Sequence, residues 1–487
     1  MYKRFQFLLL TMVVTILVSG CSFFNPEYHK PKVEVPSLWK SQDKNIESTK
    51  EWNLPQLAWW RNFNDPVLNS LITTALKDNQ SLQVSIGNIL QAEAEVKKAN
   101  YAWLPTASVG GGGFIALPFD MSGTGLAKGI QGQTLGGSFA GVIPSYTINI
   151  AREFKMGEIT RLGKDVNTWV KDATRLSIIS RVSISYFSLL AAKRQLELQE
   201  QEIKILETLY EESQLQIESG VSSQLKSEEK HELLLSSKAK IALIKGDITH
   251  FENALRILTG RLPGKIDVSR TFEDINADIV VPVNLPSKVL ESRPDIAIAE
   301  DKLKIANANI GLARSQFFPN IDLTGYFGNA TLALGELATL NAWAWAAAAV
   351  AAMPVFNMSI LADSDKAKVQ YYEAYYDYIS TLHQAFQDVE DTLVDRSASY
   401  ENLKKMRISL KSAEIQHSIY QQQYMAGIIS ETEYTQKALN EIYEKMLVNN
   451  AKLSTLNSVV NLYQALGAGY KVDDYSDPHY DNEAFDK

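Results

Sequence analysis

Cysteine is almost absent from this chain. Cys21 is the only one in 487 residues, so no disulfide can form within it. Proline is missing over two long stretches: none of the 15 falls within 145–262 or 355–477. Proline in a helix interior costs about 3 kcal/mol, so these blanks leave room for very long helices. A basic excess is also missing. The net charge is −8, which speaks against nucleic acid as a partner. Past residue 20 no apolar run is long enough to cross a bilayer as a helix, for which about 20 residues are needed. The nearest is "AWAWAAAAVAAM" at 342–353, closed by Pro354. Its length suits a tilted transmembrane strand of about 9–11 residues. Histidines stand only at 29, 231, 250, 383, 417 and 479, with no metal-ligand spacing. "GTGLAKG" (123–129) lacks a strand–turn–helix context, and "GRLPGK" (260–265) has the wrong spacing for a phosphate loop and is followed by Ile266. No enzyme, metal or cofactor is expected.

The first 20 residues have a basic start at Lys3 and Arg4, an apolar run over 7–18 and the small residues Ser19 and Gly20. That is the layout of a secretory signal peptide. Leu17-Val18-Ser19-Gly20-Cys21 resembles a bacterial lipobox. The resemblance implies that Cys21 becomes the first mature residue and carries acyl chains on its sulfur and amine. The alternative is an ordinary signal peptide beside a chance cysteine. One acyl chain anchors only marginally, at about 0.8 kcal/mol per buried methylene, whereas several hold firmly. Ser22, rather than an aspartate, implies outer membrane lipid as the destination.

The chain is internally duplicated. Shifting the segment at Asn79 by 214 onto that at Arg293 aligns Leu82 with Ile296, Ala92 with Ala306, Pro105 with Pro319 and Gly111 with Gly325. At a shift of 207, Val182 meets Val389, Gly220 meets Gly427, Leu255 meets Leu462 and Gly260 meets Gly467. Between them, Ile143-Pro144 meets Met353-Pro354 at 210.

Each half follows one plan. A helical segment (66–103 and 286–317) ends before a proline. An alternating strand follows; in "PNIDLTGYFG" Ile321, Leu323 and Phe327 share one face and Asp322, Thr324 and Tyr326 the other. A second strand is expected at 137–149 and at 342–356, and then a long helical stretch. Val182, Leu189, Leu196, Ile203, Tyr210 and Ile217 recur every seven residues, a heptad seam. Gly220 and Gly427 interrupt the helical pattern and are read as hairpin tips. Some 60 residues before each tip would make a rod on the order of 90 Å. The heptads alone also suit a coiled-coil stalk without a pore.

The strands argue against a stalk. Four strands leave open edges that lipid does not tolerate, and membrane barrels start at about eight. Several chains must therefore pool their strands. Trp343 and Trp345 share one strand face and suit either a membrane-interface girdle or core packing.

With these features in place, "WWRNFNDPVLNSLITTALKDNQSL" (59–82), "LPSKVLESRPDIAIAEDKL" (285–303) and "ISTLHQAFQDVEDTLV" (379–394) resemble the outer membrane factors. These are the TolC-like outer membrane efflux proteins, and the lipobox lies nearest their OprM/NodT branch. The resemblance spans 26–470 and is most specific around Arg293-Pro294-Asp295-Ile296. It implies a mainly α chain with a transmembrane β portion. Long helical hairpins would form a trimeric periplasmic tunnel, continued by a 12-stranded barrel with four strands per chain. Its implied partners are a homotrimer's other copies, a periplasmic adaptor and an inner-membrane pump of the resistance–nodulation–division (RND) type. The implied role is a passive exit duct for drugs or other small molecules; the exit duct of a protein-secretion system is the alternative. The implied organisation is a signal peptide (1–20), a lipidated extension (21–64), a first repeat (65–265), a linker (266–285), a second repeat (286–467) and an acidic tail (468–487). The chain departs from the family after its second strands, where "YTINIAREFKMGEI" lacks the usual acid pair and glycine and "PVFNMSILADS" lacks the usual glycine. At the second tip, "YMAGIISETEYTQ", the resemblance implies that Tyr424, Glu431 and Glu433 ring a closable periplasmic mouth, with Gln436 replacing a second acid. Read from the residues alone, each glutamate is equally a solvated helix-start residue favoured by the helix dipole.

Overall fold

The computed structural model describes residues 26–33, 39, 53–116, 135–279, 290, 292–334, 338–354 and 356–472. The expected signal peptide (1–20), Cys21, the 123–129 segment and 473–487 lie outside the described residues. Among the described residues seven α-helices and four strands run in two successive sets: α1 Pro66–Asp78, α2 Gln80–Tyr101, β1 Thr106–Ala116, β2 Leu135–Ile148, α3 Ile150–Glu218 and α4 Gln224–Leu258; then α5 Pro294–Ser315, β3 Asn320–Leu334, β4 Ala338–Ala352, α6 Met358–Met425 and α7 Glu431–Ala465. The proline-free stretches hold α3 and α6, of 69 and 68 residues.

The expected helix over 66–103 is two helices, broken at Asn79. The Asn79 backbone is extended, and its Oδ1 accepts from the amides of Ser81 (2.9 Å) and Leu82 (3.2 Å). One residue thus ends α1 and caps α2, because its short amide competes with the helical backbone for those amides. The second-half helix begins at Pro294, where proline's missing N–H is harmless. The second strands run over Leu135–Ile148 and Ala338–Ala352, a little earlier than expected.

The chain divides into two compact units, each drawing segments from both halves. One contains residues 90–165 and 300–377 with the sheet. Among the described residues four strands pair antiparallel in the order β1-β2-β3-β4, leaving β1 and β4 as open edges. Pro144 sits in the inner strand β2. Register between β2 and β3 lapses at 143–144, where proline has no N–H to give. Gly325 stands opposite because a Cβ there would lie 2.9 Å from the Pro144 ring. Below the sheet, Asn149 caps α3 by accepting from the Arg152 amide (3.0 Å) and donates to Asn320 (2.8 Å). Trp103 meets Phe154 edge-on, ring centroids 5.4 Å apart.

The other unit holds residues 32–89, 166–299 and 378–487. Its core joins Trp59, Trp60, Phe63, Leu68, Tyr186, Phe187, Val459 and Tyr463, all essentially buried. Trp59 stacks on Tyr463 with centroids 5.0 Å apart. Asp65 caps α1 and accepts from the Tyr186 hydroxyl at 2.7 Å. Burial, with that carboxylate second, pushes the Tyr186 phenol far up. Residues 468–472 close the core: Gly469 and Lys471 donate to the carbonyls of Leu54 and Pro55. Gly469 has φ 95°, and a Cβ there would lie 2.7 Å from the Trp60 ring.

The duplication is visible as matched bonds. Asn79 donates to the Leu258 carbonyl at 2.8 Å, and Arg293 to the Ala465 carbonyl at 2.6 Å. Donors and acceptors correspond at the shifts of 214 and 207. In both halves the start of a short helix is tied to the end of the returning long one, and a left-handed glycine follows two residues on (Gly260 φ 71°, Gly467 φ 66°). Arg293 goes further than Asn79. It also donates to both Asp295 oxygens (3.0 and 2.7 Å) and to Asp388 (3.1 Å).

Contrary to the sequence expectation, one described helix contains an 18-residue stretch long and apolar enough to cross a membrane by length and composition. It is α3, and 67% of that stretch is buried inside the protein. That burial marks it as a core helix.

Candidate functional site

Gly220 and Gly427 both take φ 69° and stand between paired helices, α3 with α4 and α6 with α7. The two turns repeat one bonding pattern. Gly220 and Val221 donate to Ile217 and Gln216; Gly427 and Ile428 donate to Tyr424 and Gln423, all at 2.9 Å. This 6→1 closure needs a left-handed residue, hence glycine.

Beyond the second turn, Ser430 and Glu433 form a capping box: the Glu433 amide donates to the Ser430 hydroxyl, and the Glu433 carboxylate accepts from the Ser430 amide at 3.1 Å. Glu433 therefore performs the helix-start task open to it from the sequence. Glu431 faces Tyr424, and its carboxylate holds the Tyr424 hydroxyl above the usual phenol range. Tyr424 stacks on Tyr434 with rings parallel to 2° and centroids 5.2 Å apart. Tyr434 in turn stacks on His417 at 5.3 Å. His417 Nδ1 lies 2.5 Å from Glu441, which Lys445 also holds at 2.6 Å. Burial opposes the Glu441 charge, but Lys445 and His417 outweigh it and keep this carboxyl below its ordinary range. The two hairpins meet through Thr432, which donates to Glu212 of α3 at 2.9 Å. Burial pushes the Glu212 carboxyl up despite that bond.

The structure thus brings Tyr424 and Glu431 together and turns Glu433 onto its own helix start. Sequence reading missed Tyr434, His417, Glu441 and Glu212. His417 lies seven residues before Tyr424, a heptad spacing that puts both on one stripe; Glu212 carries no comparable signal. The "GRLPGK" stretch is the turn after α4, with Gly260 in the left-handed region.

The sheet supplies the second surface. Side chains alternate between faces along a strand, and cross-strand partners share a face. One face carries, rung by rung, Ile148, Ile321 and Ala351; Tyr146, Leu323 and Ala349; then Val109, Val142, Phe327 and Trp345, with Trp343 one rung further. It bears no ionisable carboxylate or ammonium among the described residues. The opposite face carries Thr147 and Asp322, paired at 2.6 Å, then Thr106, Ser145 and Thr324. Trp343 and Trp345 are 73% and 80% exposed on the chain, so neither is a core residue of it.

An open sheet with one charge-free apolar face, joined in one chain to paired long helical hairpins, is the protomer of an assembled membrane channel. The family model for outer membrane efflux proteins matches residues 170–261 and 285–468. The probable efflux pump outer membrane protein TtgC of Pseudomonas putida is 30% identical over 479 residues, covering 95% of this chain and 96% of that one. The probable outer membrane lipoprotein SilC of Salmonella typhimurium is 28% identical, covering 96% and 99%. The open-state MtrE outer membrane channel of Neisseria gonorrhoeae superposes with a TM-score of 0.77 at 26% identity, covering 93% and 99%. The chain belongs to the outer membrane efflux protein family. It is an outer membrane channel protein of efflux.

Proposed function

We propose that three copies of this chain close one barrel of twelve strands, four from each, continued by the helical hairpins as a periplasmic tunnel. In this reading the assembly is a passive exit duct for small molecules and performs no catalysis. It receives cargo from a periplasmic adaptor and an inner-membrane pump of the RND type. Cys21 anchors it to outer membrane lipid through acyl chains.

The observation that carries the reading is the sheet itself. It has two unpaired edges and an exposed apolar face, a combination unstable in lipid unless neighbours complete it. The apolar band from Trp343 to Ala351 is nine residues long, which matches the roughly 9–11 needed for a tilted strand to cross. Trp343 and Trp345 then sit at the outer interface, where an indole keeps its apolar ring in lipid and its N–H in water.

The test is assembly. The protein purified in mild detergent is expected to have the mass of a trimer by native mass spectrometry. A detergent-stable monomer retaining its full β signal overturns the reading. The anchor has its own test. Cys21→Ser is expected to abolish acyl labelling and leave the precursor uncleaved, while barrel insertion, an independent membrane hold, preserves part of the efflux. A mature protein whose N-terminus carries no lipid mass overturns the anchor alone.

Tyr424, Glu431 and Glu433 are proposed to meet their counterparts near the threefold axis and close the periplasmic mouth. Within this set, Tyr424 and Glu431 form the contact that changes on opening. Glu433 contributes charge from a fixed helix start.

A further inference from the structure

The two faces of the sheet exchange character along its length. Up to the Trp345 rung the lipid-type face has no polar group but the Tyr146 hydroxyl, and the Trp343 rung adds Asn329. One rung further out it reads Gly113, Ser138, Thr331 and Asn341. The opposite face changes the other way. Near the helices it carries Asp322 and a row of hydroxyls. Midway a complete rung is stripped to Gly110, Gly141, Gly328 and Ala344. Beyond that come Phe139 and then Phe114, Leu332 and Leu340, all exposed on the chain.

The stripped rung is imposed by close approach. A Cβ on Gly141 would lie 2.5 Å from the Phe327 carbonyl oxygen, and one on Gly328 2.4 Å from that of Ala140. The phenylalanines above it are placed differently. Each lies across a glycine on the neighbouring strand: a Cβ on Gly137 would come within 2.6 Å of the Phe114 ring, and one on Gly112 within 3.1 Å of Phe139. Each ring therefore occupies the space above a glycine of the neighbouring strand rather than standing over another side chain.

Resting on the proposed trimeric barrel, the polar face of the sheet lines the pore. Lipid explains an apolar face only as far as Trp343. It explains nothing on the pore side, where Phe114, Phe139, Leu332 and Leu340 are exposed and belong to no buried cluster among the described residues. Contiguous apolar surface left exposed in this way marks a contact site.

We propose that these four residues, repeated in three copies, form an apolar collar inside the outer mouth of the barrel, and that it takes apolar and planar aromatic cargo in transit. Flat rings offer stacking area to any aromatic molecule. No Asp, Glu, Lys, Arg or His among the described residues of this face lies outward of Asp322. Among the described residues this face therefore offers no charge at the collar, and residence there follows the cargo's apolar area.

The experiment uses single channels in planar bilayers, in a Tyr424→Ala background so that the periplasmic mouth does not dominate the current. Native mass is measured first; loss of the trimer in the parent defeats the barrel reading rather than the collar. The probe is 1-naphthalenesulfonate, with methanesulfonate as the same charge without the rings, added on the loop side. Naphthalenesulfonate is expected to reduce the parent current at concentrations where methanesulfonate does not. Phe114→Ser with Phe139→Ser is expected to raise the half-blocking concentration severalfold. Phe114→Leu with Phe139→Leu recovers part of it, and Thr331→Ser, at the same height on the outward face, leaves it unchanged. If the serine pair does not assemble, Leu340→Asn tests the same collar. Absence of ring-dependent block in the trimeric parent, or an unchanged half-blocking concentration in an assembled collar variant, overturns the proposal.

Discussion

Arg293→Ala is expected to lower the heat resistance of the assembled protein sharply and to cut its yield in the outer membrane. The Arg293 side chain is 9% exposed. Burial works against its charge, and Asp295 and Asp388 more than offset that. Its guanidinium ties three helices together: Asp295 at the start of α5, the Ala385 carbonyl and Asp388 on α6, and the last carbonyl of α7. Alanine leaves the Ala465 carbonyl without its side-chain donor and Asp388 with only the Gln384 amide. Removing one partner of a buried pair costs about 3–5 kcal/mol. Because Asp295 and Asp388 are 45% and 37% exposed and regain water, the low end, about 3 kcal/mol, is expected. Arg293→Lys keeps the charge but cannot span carboxylate and carbonyl at once, and is expected to recover only part of the loss. Asn79→Ala, the matched site in the first half, loses a neutral amide with its cap and should cost less, about 1–2 kcal/mol. Heating series of the detergent-solubilised assembly, read by loss of the native oligomer, check the order Arg293→Ala, then Arg293→Lys and Asn79→Ala. Equal heat resistance of Arg293→Ala and wild type would refute it.

Tyr424→Ala is expected to raise single-channel conductance severalfold and let bulky hydrophilic antibiotics enter. It removes both the ring stacked on Tyr434 and the hydroxyl facing Glu431. The charge effects separate cleanly from it. Glu433→Gln retains the capping box, since glutamine fills the same position, but removes one carboxylate per copy. It should weaken cation selectivity and block by multivalent cations while leaving conductance near wild type. Glu431→Gln removes the carboxylate beside Tyr424 and should move conductance and selectivity together. Planar-bilayer recordings of the three variants decide this. If all three match wild type, these residues are not the gate and only the duct remains.

What the sequence alone determined was everything with a period or a breaker. Two proline-free intervals became α3 and α6, since proline has no place inside a helix. Gly220 and Gly427 were legible as tips because a left-handed turn inside an apolar repeat demands glycine. Alternation exposed the strands, and the paired offsets exposed the duplication. Tertiary structure decided what depends on register and on distant partners. The break at Asn79 was hidden because an asparagine within a helical pattern is unremarkable until its amide finds Leu258, 179 residues away. Glu433 and Glu431 look alike in the sequence, and only the folded turn sends one to Ser430 and the other to Tyr424. The identity of each sheet face came from alternation, but the reversal of both faces beyond Trp343 required the pairing of four strands drawn from the two halves of the chain. A period-two pattern assigns neighbours within a strand, whereas a rung exists only once hydrogen bonds set the register across strands.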